Sequence, residues 1–167
     1  IMLKSMKKVK RILAVALVFT MLFASQVTAF AAGTDSVTKT ANKDMSIALM
    51  PGVTGDSNTI TFNLNSLPDN AIVKEVKIDC SNASVIGGKG AILPQSITIT
   101  SPSGETHTVG WGRGNVTTTN LFIAEKAAGT WYVYMTGTNI ASPSSGSAFI
   151  GGTKYSRPKI TVTYILE

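Results

Sequence analysis

One cysteine, one histidine and a charged fraction of only 14% narrow the possibilities before any motif is read. Cys80, being alone, forms no internal disulfide. With His107 it supplies two zinc ligands where four are needed, and no further candidates are grouped near either residue. A Cys80–His107 nucleophile–base pair would need a reactive thiol. Cys80 instead falls on the apolar face of its segment, where a thiol behaves as a small inert hydrophobe. The carboxylates Asp56, Asp69, Asp79, Glu105 and Glu125 stand one to a segment, so no facing acid pair of the glycosidase kind is marked. Gly110-Trp111-Gly112-Arg113-Gly114 has glycines but neither of the phosphate-cradling spacings. No catalytic residue is assigned, no metal or cofactor is expected, and the chain is not read as an enzyme.

A basic excess is also missing once the chain is divided. The formal charge is +6, but Lys4, Lys7, Lys8, Lys10 and Arg11 supply five of the fifteen cations. They precede an apolar run, Ile12–Ala24, and small residues at Ala29 and Ala31. This is the order of a secretory signal: basic, apolar, then A-x-A. Residues 1–31 are read as a cleaved signal peptide, and Ser25, Gln26 and Thr28 cut the apolar run short of a membrane span. The remaining chain carries about +1, which removes the case for nucleic-acid or anionic-membrane binding. The expected location is secreted or extracellular, including association with the cell surface, with no membrane span after cleavage.

A helical period is absent too; what is present is strands. Gly33–Asp44 is polar and without period, so residues 32–45 read as a flexible arm leading into a β domain over 46–167. Met45–Met50 stops at Pro51-Gly52, and Asn58–Asn65 alternates with Ile60, Phe62 and Leu64 inward. Ala71–Cys80 places Ile72, Val76, Ile78 and Cys80 on one face, with Lys74 breaking the alternation. Ser81–Pro94 reads as a loop around Gly87-Gly88-Lys89-Gly90, Ser96–Ser101 and Glu105–Gly110 as a hairpin, and Asn115–Ile123 as a strand. Asn139–Tyr155 reads as a long loop with a short strand at Ala148–Ile150. Lys159–Leu166 closes with Ile160, Val162, Tyr164 and Leu166 inward. Eight or nine such strands predict an all-β, antiparallel two-sheet sandwich of the jelly-roll kind.

Two stretches organise it. Ile97–Gly104, ITITSPSG, is a strand ending in a proline-set turn, and Ala127–Gly137, AAGTWYVYMTG, is a strand entered through Gly129. Period two puts Trp131, Val133 and Met135 on one face and Tyr132 and Tyr134 on the other. Together, over residues 97–136, these stretches resemble the "SPSGT … GTW" signature of P-domain-like modules, the jelly-roll domains beside subtilisin-like convertases and in secreted bacterial proteins. The resemblance implies a β-sandwich module. Those modules usually carry an acidic residue before the first strand with calcium nearby; here that place reads Pro94-Gln95-Ser96.

The aromatics carry the functional reading. Tyr132 and Tyr134 face away from Trp131, about 7 Å apart at strand rise. Trp111 and Arg113 sit in a glycine-flanked loop, and Tyr155 in another. Flat aromatic faces near Asn and Thr hold sugar rings by stacking. Trp111, Arg113, Tyr132, Tyr134 and Tyr155 are therefore the candidate ligand-binding residues of a non-catalytic module. Its partner would be an extracellular carbohydrate, the cell wall or a protein surface. The alternative is a structural subunit of a surface layer, matrix or fibre, self-associating through the arm and open strand edges.

Overall fold

A computed structural model describes residues 33–86, 92–141 and 151–167, and these are strands and turns with a single 3-10 turn. The signal segment, the Gly87–Gly90 loop core and the short strand expected at Ala148–Ile150 lie outside the described residues. The all-β antiparallel architecture is the one that the alternation predicts, with twelve strands among the described residues spread over three sheets.

The first sheet runs in the order β1 (Asp35–Thr40), β12 (Lys159–Leu166), β5 (Ala71–Asp79), β9 (Val116–Thr119). The second runs β3 (Thr54–Asp56), β10 (Thr130–Asn139), β7 (Ile92–Thr100), β8 (Thr106–Gly110), with β4 (Ile60–Asn63) also pairing β10. The third is β2 (Met45–Leu49), β11 (Gly151–Tyr155), β6 (Ala83–Ile86). One continuous core joins them, with Trp131, Phe62, Phe122, Ile99, Val162 and Met45 all fully buried. The Trp131 face is as read: Trp131, Val133 and Met135 are buried, and Phe62 is the cross-strand partner of Trp131. The indole N–H donates to the Ala127 carbonyl at 3.0 Å, so its polar atom is satisfied on burial.

Several expectations need correcting. The polar arm is not loose, because Asp35–Thr40 pairs along its whole length with β12 as an edge strand. Its anchors are backbone hydrogen bonds, a Thr38–Thr161 hydroxyl pair at 2.8 Å, and Val37 packed on the core. Ala83–Ile86 is a strand rather than loop, and Gly151–Tyr155 is a strand where a loop end was expected. In β5 the inward residues before Val76 are Ala71 and Val73, not Ile72. The register explains this: Thr163 pairs with Glu75 and Tyr164 with Val73, leaving Lys74 as the extra residue of a bulge. Leu166 is exposed because the alternation outlasts the core at the end of β12.

The two turns that organise the sequence meet. A Cβ on Gly129, whose φ is +131°, would lie 2.5 Å from Cβ of Pro102. Glycine is thus required there on two counts, backbone and contact. Across the same junction Ser101 and Ser103 share a hydroxyl hydrogen bond of 2.7 Å, and the Ser103 hydroxyl donates to the Glu125 carboxylate.

Candidate functional site

The outer face of the second sheet gathers the features expected of a ligand platform. Because β10 buries Trp131, Val133 and Met135, the alternate residues Tyr132, Tyr134 and Thr136 face outward. Tyr132 is 46% exposed, and Tyr134 is half-buried. Cross-strand register sets them in rows. Tyr132 lies between Thr100 and Thr61, with Thr106 beyond Thr100. Tyr134 lies beside Thr98, which lies beside Thr108, and Thr136 stands between Ser96 and Asp56.

Rows of this kind repeat at about 7 Å along the strands and about 4.8 Å across them. Two hydroxyl pairs are closed, Thr98–Thr108 at 2.8 Å and Thr100–Thr106 at 2.9 Å. Each pair uses one O–H; Thr98 is buried, so an outside partner reaches the exposed Thr108 and Thr106 hydroxyls. Of the residues in these rows only Asp56 is charged, and it accepts from Thr136 at 2.6 Å at the sheet edge. The outer face of the first sheet differs, carrying Lys77, Glu75 and Lys159 among its threonines.

The other predicted residues do not join this platform. Tyr155 is 2% exposed and belongs to the core. Its neighbour is Trp111, with ring centroids 5.3 Å apart and planes tilted by 47°. Trp111 is half-buried, its indole N–H donating to the Asn115 side-chain oxygen at 3.0 Å and its backbone N–H to the Gln95 carbonyl. Trp111 and Tyr155 thus close one end of the core, while Arg113 stands exposed in the turn Arg113–Asn115. What the sequence did not reveal is the threonine bed. T-x-T occurs in β7, β8 and β10, and the signal was visible as residues but unreadable without strand order.

Cys80 is buried beside Tyr155, and burial pushes both upward, each to about 12, against ordinary values of 9.0 and 10.0. Native labelling of the thiol should therefore be slow, becoming fast only on denaturation. Rapid native labelling would show the thiol to be accessible. The folded state holds both groups protonated, so their contribution is complete below pH 9 and is lost as pH rises toward 12. Urea midpoints measured from pH 8 to 11 should fall in the upper half of that window. A Cys80→Ala variant should show a shallower fall, and equal slopes would remove Cys80 from the account. His107, by contrast, lies edge-on to Phe122 at 4.9 Å.

No family model matches the chain, and no curated protein matches it. Among solved structures, that of FLHE superposes with a TM-score of 0.45 at 15% identity, over 80% of this chain and 99% of that one. A protein from Eubacterium rectale gives 0.49 at 12% identity, over 80% of this chain and 40% of that one. A complex of the Aeromonas sobria serine protease and its chaperone gives 0.37 at 12%, over 81% and 27%.

Proposed function

We propose that the protein is a non-catalytic extracellular module that binds a neutral glycan on the outer face of its second sheet. The observation that carries this is the pair Tyr132 and Tyr134 set in a threonine bed without a cation. A sugar has apolar C–H faces and a rim of hydroxyls; tyrosine rings suit the first and threonine hydroxyls the second. A face without a cation, whose one carboxylate, Asp56, lies at the sheet edge, carries no long-range attraction for an acidic polymer. Export is supported by the basic, apolar and A-x-A order of residues 4–31. No helix of the described residues is long and apolar enough to cross a membrane. The P-domain likeness belongs to the same proposal: the stretches that carry it are β7 and β10, adjacent strands of this sheet.

The test is binding to insoluble and soluble neutral polysaccharides by the full chain and by Tyr132→Ala and Tyr134→Ala. Each variant should weaken binding by about tenfold or more, equivalent to about 1.4 kcal/mol. Thermal stability should hardly change for Tyr132→Ala, because its side chain is largely outside the core. Retained binding in the double variant would remove the platform.

The structural-subunit reading has its own support in β6. Among the described residues Ala83–Ile86 is an edge strand exposed at every residue, with Val85 61% exposed and no charge or proline within it to block further pairing. Concentration-dependent association abolished by Val85→Lys would favour it.

A further inference from the structure

A second site lies away from the tyrosine face, and its argument is independent of it. The turn between β11 and β12, Ser156-Arg157-Pro158, closes over the loop Ser81-Asn82 and the β5 end at Asp79. Between them is a polar cleft of about 240 Å³ lined by Arg157, Lys159, Asp79, Ser81, Asn82 and Ser156, with Thr40 at its side.

Its walls are fixed from behind. The Ser156 N–H donates to the Asn82 carbonyl at 2.8 Å, the Ala41 N–H to the Pro158 carbonyl at 2.7 Å, and the Arg157 N–H to the Asp44 carboxylate at 2.9 Å. Asp79 is already engaged, accepting from the Ser81 N–H at 2.9 Å, and those Ser81 contacts hold its carboxyl below the ordinary range. Lys159 is its cross-strand partner. Arg157 and Lys159 enter no ion pair among the described residues; of the carboxylates near them, Asp79 is engaged by Ser81, and Asp44 lies behind the cleft on the Arg157 N–H and near Lys154.

Arg157 is also held at a φ of +45°, in the left-handed region that glycine occupies without penalty. A following proline restricts the position further. The Asp44 carboxylate holds that backbone in place, with Arg157 at the wall of the cleft. A guanidinium fork matches a carboxylate or phosphate with two parallel hydrogen bonds. Serine, asparagine and threonine around it offer partners to hydroxyls. The volume is below the roughly 300 Å³ at which ordinary ligand pockets begin, so it takes one small unit.

We propose that this cleft binds a single oxyanion-bearing sugar unit, the anion on Arg157 and Lys159 and the ring hydroxyls against Ser81, Asn82 and Ser156. The experiment is a titration of the isotope-labelled protein with glucuronate, glucose 6-phosphate, glucose and inorganic sulfate, followed by backbone amide shifts. Saturable shifts at Ser81, Asn82, Ser156 and Arg157 are expected with one or both acidic sugars, and which one responds tells carboxylate from phosphate. Arg157→Gly should weaken that binding at least tenfold, with a melting temperature unchanged or raised because the turn is relieved. Equal shifts with glucose, equal shifts with sulfate alone, full binding by Arg157→Gly, or no saturable shift with either acidic sugar would each overturn the proposal.

Discussion

Trp131→Ala should cost about 3–5 kcal/mol of folding stability, a large share of what a domain of this size possesses. The indole is fully buried at the middle of the core, and its ring meets Phe122 edge to face at 5.2 Å. Phe62 lies across from it on β4, and its N–H is spent on the Ala127 carbonyl. Alanine would therefore remove the largest side chain of the core, leave a cavity that packed sheets cannot collapse into, and strand the Ala127 acceptor. Trp111→Ala should cost less, about 1–2 kcal/mol, because that ring is half-buried and loses one aromatic neighbour and one hydrogen bond. Urea unfolding followed by circular dichroism measures both. A loss below about 1 kcal/mol for Trp131 would mean that the ring is not the centre of the core.

The reason Trp131 could be read from the chain is local. A run of β-branched and aromatic residues after a glycine, alternating in size and polarity, fixes both the strand and its faces. β4 was legible on the same grounds, through Ile60, Phe62 and Leu64. The first strand was not, because it sends one apolar side chain, Val37, to the core and owes its place to backbone pairing with β12. Pairing leaves no trace in composition, and an edge strand with a polar face looks like a linker. β5 shows an intermediate case. The break at Lys74 was visible, but whether Ile72 or Val73 turned inward depended on which residue the bulge absorbed, and β12 decides that.

The candidate site divides in the same way. Tyr132 and Tyr134 were found because two residues of one strand share a face whatever the neighbours are. Their setting needed the strand order, since Thr100 and Thr106 reach Tyr132's row through β7 and β8 while Thr61 arrives on β4. Tyr155 was misplaced because its strand, GGTKY, has too little apolar content to show which face it turns to the core. Its burial is set by the packing of Trp111 and Cys80, which come from distant parts of the chain.

Gly112→Ala should be the other severe substitution, at about 3 kcal/mol or more. The backbone at Gly112 is ordinary, with φ −77° and ψ 152°, so conformational freedom is not what glycine provides here. The constraint is space. A Cβ at this position would run into the Val116 carbonyl oxygen and lie 2.8 Å from the Thr117 Cα, backbone atoms that no rotamer change can move aside. To admit it, the turn Arg113–Asn115 must open, and with it the hydrogen bond from the Gly112 N–H to the buried Thr117 hydroxyl at 2.9 Å. The Asn115 contacts follow, namely the Trp111 indole bond and the Cys80 N–H bond to the Asn115 carbonyl at 2.8 Å. The expected signature is a lowered urea midpoint together with faster labelling of Cys80, because the end of the core that covers the thiol is the part forced apart. Gly110→Ala supplies the control, since a Cβ there meets nothing within 4 Å and should change neither measurement by much. If the two alanines behaved alike, the glycines of this loop would be a matter of chain flexibility, and the close crossing of Gly112 over Val116 would not be what holds Trp111 in place.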